Sequence, residues 1–145
     1  MRTAEITNAP IEPEAVLRQV GTLDDGAVLL FLGRVRRTNE GRAVTGMRYD
    51  AYHAMAGEVL QAIVAEAAER WGLEDVVAVH RVGELDLGEV SVATAVAAPH
   101  RGHAYAASRF IIEELKRRLP VWKLEHYQAG ETRWLEGAVP PQAGS

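Results

Sequence analysis

The chain has 145 residues, of which 48% are hydrophobic and 25% are charged, and its formal net charge is −4 at pH 7. This length suits one domain, and the acidic balance argues against a general nucleic-acid binder, which would carry a basic excess. No apolar run approaches the roughly 20 residues that cross a bilayer, and the first ten residues lack the apolar stretch of a secretory signal. We therefore expect a cytoplasmic protein that binds neither nucleic acid nor membrane.

The predicted elements of the first half are a strand at 2–7, a helix at 11–20, a strand at 27–35, a loop at 36–43 and a strand at 44–52. The segment AVLLFLGRV at 27–35 is apolar almost throughout, which predicts a strand buried on both faces. The loop that follows is polar and contains glycine, so we expect it to be mobile.

The predicted elements of the second half are a helix at 55–71, strands at 75–83 and 89–98, a helix at 103–119, and strands at 121–127 and 132–136. The two middle strands are expected to form a hairpin. This order predicts an α+β sandwich, mostly antiparallel, with ferredoxin-like βαββαβ character, extra strands, and helices on one face. We predict a single domain over 1–137 and a disordered tail at 138–145.

Cysteine is absent, and the cations are 14 arginines and only two lysines, Lys116 and Lys123. Without a thiol the chain has no disulfide, thiolate metal site or persulfide chemistry, so any sulfur that it handles must arrive on another molecule. Lysine, unlike arginine, can lose its proton when buried and act as a nucleophile or base. GC-rich codon usage explains the scarcity of lysine equally well, but two lysines seven positions apart make this region a candidate site.

The segment LPVWKLEHY at 119–127 follows the second long helix. In a strand, alternation places Trp122 and Leu124 on one face, where we expect them to anchor the core, and Lys123 and Glu125 on the other. The simpler interpretation is a solvated ion pair on an edge strand. The alternative is a lysine held beside a carboxylate in a cleft, with its pKa lowered. Lys116, near the helix C-terminus, fits dipole complementation equally well.

Two further segments are candidate anion sites. In APHRGH at 98–103, His100 and Arg101 stand at a predicted helix start, where backbone N–H groups attract anions. In GRVRR at 33–37, Arg34 and Arg36 share a face at the end of a strand. No third ligand accompanies the histidines, and no phosphate loop, nucleophile elbow or dinucleotide fingerprint is present, so we predict neither metal nor cofactor. These residues suit an enzyme that binds a compact anionic substrate and uses amine or proton-transfer chemistry.

Three stretches, at 31–56, 80–107 and 115–137, strongly resemble the large, catalytic subunits of the molybdopterin synthase family. The shared motifs are G-x-V-R, Y-x-A-Y-x-x-M-A, H-R-x-G, H-R and P-x-W-K-x-E, in the order of the family. The resemblance implies an α/β hammerhead fold and a homodimer within a heterotetramer. It also implies a small ubiquitin-like partner that carries sulfur as a thiocarboxylate on its C-terminal Gly-Gly. The implied activity is sulfur transfer to cyclic pyranopterin monophosphate, which forms the dithiolene of molybdopterin in molybdenum cofactor biosynthesis.

The resemblance also implies roles for individual residues. Lys116 and Lys123 match the catalytic lysines. The residues that match substrate-pocket positions, besides these two lysines, are Arg34, Val35, Arg36, His100, Arg101, Leu124 and Glu125. We hypothesise that Arg36, His100 and Arg101 hold the cyclic phosphate and pterin, that Lys116 meets the thiocarboxylate, and that Lys123 transfers a proton or stabilises charge.

The chain departs from the family pattern in two places. Leu124 stands where a basic residue is common, and the C-terminal GAVPPQAGS lacks basic groups that the family often has there. An alternative function is a non-catalytic anion-binding or assembly module on the same scaffold, and a phosphate-ester hydrolase is disfavoured because no metal-ligand cluster is evident in the sequence.

Overall fold

The computed structural model describes residues 1–128, 130 and 132–134 of the chain. The strands are β1 Arg2–Thr7, β2 Ala27–Arg34, β3 Thr38–Asn39, β4 Arg42–Ala51, β5 Val76–Arg81, β6 Gly83–Asp86, β7 Val90–Ala98, β8 Val121–Tyr127 and β9 Thr132–Trp134. The helices are α1 Pro13–Leu17, α2 His53–Trp71 and α3 Arg101–Arg118. No helix in the described part of the chain is both long and apolar enough to cross a membrane.

The larger sheet has the strand order β1-β5-β7-β2. β1 runs parallel to β5, and the other neighbours are antiparallel. One face of this sheet packs against α2 and α3 around fully buried residues such as Leu60, Ile63 and Ile111. The opposite face packs against α1 through Val16. The predicted α+β class is confirmed, but the prediction that helices cover only one face is wrong, because the short α1 covers part of the other.

The smaller sheet has the order β3-β4-β8-β9, and β6 also pairs with β4. The predicted hairpin is correct in that β5 and β7 pair antiparallel. Their connection, however, forms β6 and joins the smaller sheet instead of remaining a simple turn. Gly46 allows this pairing, because a Cβ atom there would lie 2.9 Å from the carbonyl oxygen of Leu85. The connection between two strands of the larger sheet therefore ties the two sheets together.

Strand β2 is not buried on both faces, as the apolar segment had predicted. It is the edge strand of the larger sheet, and Val28 and Phe31 are 45% and 38% exposed. The composition of a strand cannot reveal how far its covering layers extend. Here α1 is only five residues long, and the helix-side face opens into a cavity beyond the end of α3.

The predicted loop at 36–43 contains a tight hairpin between β3 and β4. Its turn is made by Glu40 and Gly41, whose φ angles are 51° and 76°. The mobility of this segment stays a prediction. The predicted tail at 138–145 and the end of the last predicted strand, 135–136, lie outside the described residues, and the single-domain assignment to 1–137 also stays a prediction.

The first residue of the chain is held against the larger sheet by Asp75. One oxygen of its carboxylate pairs with the Met1 ammonium group, and the other accepts a hydrogen bond from the Gly21 backbone N–H at 2.8 Å. The hydrogen bond from the ammonium group, with that from Gly21, lowers the pKa of Asp75 although burial opposes the shift. Because the folded pKa lies below the unfolded value of about 3.9, the stabilisation is complete above that pH and is lost as the pH falls through the folded pKa.

We therefore expect Asp75→Asn to lower the free energy of unfolding by about 1.5–3 kcal/mol at pH 7, the usual worth of hydrogen bonds to a charged group. The difference from the wild type should shrink as the pH falls below 4. Urea denaturation followed by circular dichroism at both pH values measures it. Asp24→Asn, which changes an exposed carboxylate in a turn, is the matched control and should have little effect at either pH.

Candidate active site

A cavity of about 600 Å³ lies where the two sheets meet the end of α3. Its walls come from the ends of β2, β5 and β7, the last turn of α3, and the inner face of β4 and β8. A volume of this size is ordinary for a small-molecule site. The predicted site residues that line it are Arg34, Val35, Arg36, Lys116, Lys123 and Glu125.

The two lysines reach this cavity from consecutive elements. Lys116 lies exposed in the last turn of α3, next to the buried Leu115. The helix ends before Pro120, and β8 begins at the next residue and carries Lys123. Proline cannot continue a helix, so the chain turns at this point into the smaller sheet. This turn brings both lysines to one cavity.

The alternation predicted for β8 is confirmed, but the side assigned to the core is wrong. Val121, Lys123 and Glu125 face inward and line the cavity, and Val121 packs against the cluster formed by Val35, Tyr49, Val82 and Leu85. None of the apolar clusters formed by described residues includes Trp122 or Leu124.

The Trp122 ring instead packs edge-on against Tyr52, with the ring centroids 4.7 Å apart. Leu124 is half-buried and does not line the cavity. The inner side of β8 therefore faces the polar cavity, and the large apolar side chains of this strand lie on its outer side.

Lys123 occupies the cleft position that the sequence left as an alternative. Its Nζ atom lies 5.8 Å from the centre of the Tyr49 ring. Burial lowers the pKa of the Lys123 amine, and the charges of Lys116 and Arg36 lower it further, against the opposing effect of Glu125. Among the described residues Lys123 makes no ion pair within 4 Å, so the solvated-pair interpretation is not supported.

Glu125 is only 2% exposed although it carries a carboxylate. Its Oε2 atom accepts a hydrogen bond from the Asn39 side-chain amide at 3.2 Å. Asn39 belongs to β3, so the hairpin at 38–43 is attached to the inner face of β8 through this bond. A buried carboxylate is costly unless it is paired or hydrogen-bonded, and the cations of the cavity supply the complementary charge.

The arginines leave β2 at the rim of the cavity. The Arg34 Nε atom donates a hydrogen bond to the Gly88 carbonyl oxygen at 3.0 Å, which fixes the base of this side chain beside the β6–β7 turn. Val35 is buried, and its backbone N–H donates to the Glu89 carbonyl oxygen at 3.0 Å. Arg36 is exposed and lines the cavity. Anchoring of Arg34 and Val35 therefore directs Arg36 toward the space beside the two lysines.

His100 and Arg101 are not brought to this cavity. They lie exposed at the start of α3, whereas Lys116 lies at its end. Fifteen residues separate Arg101 from Lys116, which corresponds to about 22 Å along a helix. Within one copy of the chain, these two residues therefore cannot share a compact ligand with the lysines. The described residues contain no cluster of His, Asp or Glu suited to a metal, and the absence of a metal stays a prediction.

Several lining residues were not predicted as site residues, among them Asn39, Tyr49 and His80. Tyr49 and His80 pack edge-on, with ring centroids 5.3 Å apart. Both had a signal in the sequence, because Tyr49 begins the Y-x-A-Y motif and His80 begins H-R-x-G. Asn39 had none, because a polar loop residue is not distinguished by its spacing.

The fold and the cavity define a protein of the α+β class whose cavity is lined by several cations and a buried carboxylate. Residues 6–118 match the sequence model of the family described as MoaE protein. The molybdopterin synthase catalytic subunit of Bacillus subtilis is 38% identical over 135 residues, covering 93% of this chain and 85% of the relative. The chain therefore belongs to the MoaE family of molybdopterin synthase catalytic subunits. The predicted family and the enzyme class, a sulfurtransferase, are confirmed.

Solved structures agree with this assignment. The molybdopterin synthase of Staphylococcus aureus superposes with a TM-score of 0.84 at 34% identity, covering 90% of this chain and 94% of the other. A Helicobacter pylori structure, described as a complex of subunits 1 and 2 of molybdopterin-converting factor, has a TM-score of 0.73 at 20% identity, covering 98% and 96%. At that identity the second likeness concerns the fold alone.

The electrostatic arrangement predicts how Lys123 titrates. Lys116→Met removes a positive charge and should raise the pKa of Lys123, whereas Glu125→Gln removes a negative charge and should lower it. With only two lysines in the chain, NMR titration of protein labelled with ¹³C-lysine resolves each amine. Arg18→Met, at the end of α1 on the far side of the larger sheet, is the control and should leave the Lys123 titration unchanged. An unchanged titration in both site variants would contradict this account of the cavity.

Proposed function

We propose that this chain transfers sulfur from the C-terminal thiocarboxylate of a small ubiquitin-like partner to cyclic pyranopterin monophosphate, forming the dithiolene of molybdopterin. The observation that carries the proposal is the half-buried Lys123, whose pKa is lowered and which shares a cavity with Lys116, Arg36 and the buried Glu125. An amine with a lowered pKa can exchange a proton nearer to neutral pH than an ordinary lysine can.

The absence of cysteine supports a sulfur donor outside the chain. No thiol is available to carry a persulfide or thioester, so the sulfur must arrive on another molecule. A Gly-Gly terminus is narrow, because it has no side chains, and can enter a cavity of this size together with a substrate. The partner, the homodimer within a heterotetramer and the cytoplasmic location are parts of this proposal.

The positions of the cations suggest a division of roles. Arg34 and Arg36, at the rim, can bind the cyclic phosphate, because guanidinium groups match phosphate oxygens in geometry and charge. Lys116 is exposed at the end of α3, where an incoming thiocarboxylate would meet it first. Lys123 lies against Tyr49 and is placed to stabilise charge that develops on the reacting atoms or to move a proton.

His100 and Arg101 enter this proposal only through a second copy of the chain. They lie at the far end of α3 from the lysines of their own copy, and both are exposed. In the predicted homodimer, the start of α3 of one copy would reach the cavity of the other and add cations to its phosphate site. Leu124, on the outer face of β8, is not expected to touch the substrate.

A non-catalytic anion-binding module is the other function that the cavity would allow. The lowered pKa of Lys123 favours catalysis over this alternative, because a binding site gains nothing from an amine that loses its charge more easily. The two functions differ in whether a thiocarboxylated partner is consumed.

Replacing either lysine tests the catalytic assignment. We expect Lys123→Ala to lower the rate of sulfur transfer by about 100-fold or more, the usual cost of removing a group that stabilises the transition state. Lys116→Ala should lower it as well. The assay combines the chain, a thiocarboxylated partner and cyclic pyranopterin monophosphate, and follows formation of the dithiolene.

Arg18→Ala is the control for that assay, because it removes an exposed cation from α1 and should leave turnover near the wild-type rate. Near-normal turnover in both lysine variants would overturn the assignment. Binding of the pterin without consumption of the thiocarboxylate by the wild type would favour the non-catalytic module.

A further inference from the structure

His80 is a buried titratable residue of the cavity that the proposed mechanism does not use. It lies near the end of β5, on the side of the larger sheet that faces the helices, and lines the cavity. Its Nδ1 atom lies 2.8 Å from the carbonyl oxygen of Arg81. A carbonyl oxygen can only accept, so Nδ1 carries the proton, and in the neutral ring Nε2 is then an acceptor with a free lone pair.

The Nε2 atom is the unbonded ring nitrogen of a residue that lines the cavity. Among the residues that the structure describes, it has no hydrogen-bond partner. It is also absent from the fully enclosed side-chain nitrogen and oxygen atoms that lack a partner, so part of its surface is accessible. Burial lowers the pKa of His80 to about 4, the charge of Lys123 acts in the same direction, and the bond to Arg81 opposes them. The ring is therefore neutral at pH 7, and Nε2 remains able to accept a hydrogen bond.

Cations dominate the charged side chains on the walls of this cavity. Five of its charged side chains can only donate hydrogen bonds: Arg34, Arg36, Lys116, Arg117 and Lys123. The lining side chains that can accept a hydrogen bond are Thr38, Asn39, Tyr49, Ser91, His80 and Glu125. Glu125 already receives the Asn39 amide, and the His80 Nε2 atom, unlike the hydroxyl and amide groups, has no proton to donate. A phosphate needs only donors, but a heterocycle with ring N–H groups needs acceptors, and a buried N–H without one is costly.

The position of the His80 ring is fixed by its neighbours. Tyr49 packs against it at an interplanar angle of 70°, and Tyr49 is itself buried. The bond from Nδ1 to Arg81 sets the rotation of the ring. An acceptor held in this way needs no reorganisation when a ligand binds, and it can discriminate among ligands by the position of their N–H groups.

We propose that His80 is a substrate-binding residue whose Nε2 atom accepts a hydrogen bond from an N–H group of the pterin ring. The inference rests on the proposed function and assigns the two parts of the substrate to different residues of the cavity. The cations bind the phosphate, and His80 binds the heterocycle. No proton transfer by His80 is involved.

Two substitutions test the assignment. His80→Leu removes the acceptor, whereas His80→Gln can keep both bonds, with its amide N–H₂ group toward the Arg81 carbonyl and its oxygen toward the cavity. Calorimetric titration with cyclic pyranopterin monophosphate should show affinity about tenfold weaker for His80→Leu and near the wild-type value for His80→Gln. Inorganic phosphate should bind the wild type and both variants alike. Equal binding of the pterin by all three proteins, or equal loss of both ligands, would overturn the proposal.

A spectroscopic measurement follows the same hydrogen bond in the wild-type protein. In ¹⁵N NMR spectra the unprotonated Nε2 resonance of His80, identified by its loss in His80→Gln, should move upfield when the pterin is added and stay unchanged with inorganic phosphate. A resonance that does not respond to the pterin, or an Nε2 that already carries a proton, would contradict the proposal.

Turnover by the wild type separates this inference from the function on which it rests. If the chain does not consume a thiocarboxylated partner, the proposed function fails, whatever His80 binds. If it does, and His80→Leu binds the pterin as the wild type does, only the role of His80 fails.

Discussion

The site depends on one constraint, the turn at Pro120 that joins the end of α3 directly to β8. Proline stops the helix, and the next seven residues pair with β4, so the strand lies across the end of the helix layer. The turn places Lys116 and Lys123 on two walls of one cavity. It also leaves the inner face of β8 without helices to cover it. The space between this face and the ends of β2, β5 and β7 is the polar cavity.

Electrostatics and packing are linked in this cavity. Glu125 is buried among cations and held by Asn39, so its negative charge offsets part of their mutual repulsion. Lys123 nevertheless retains a lowered pKa, because burial and two neighbouring cations outweigh a single carboxylate. The apolar cluster below it, which includes Tyr49 and Leu85, keeps water from one side and holds the strands of the smaller sheet in register. The same packing that stabilises the sheet thus sets the chemistry of the amine.

Sequence reasoning located much of the fold and part of the site. The two long helices were predicted within two residues because apolar residues recur at helical spacing and Gly72 and Pro120 mark their ends. The predicted hairpin did not include β6, because nothing in the connecting residues 84–89 shows that β4 would accept part of them as a neighbour. Trp122 and Leu124 were assigned to the core because large apolar side chains are usually buried, and alternation cannot say which face is the inner one. Asn39 had no signal, because its role arises from a contact with a residue 86 positions away.

The sequence by itself determined the chemical inventory of this protein: two lysines, no thiol, arginines after an apolar strand, and the motifs that mark the MoaE family. These properties are local, since each depends on residue type and short-range spacing. Only the tertiary structure decided which of these groups meet. It joined the lysines to Arg36 and Glu125, left His100 and Arg101 outside the cavity, and added His80. The reason is physical, because the pKa of an amine and the freedom of an imidazole nitrogen depend on burial and on neighbours that pairing of distant strands brings together.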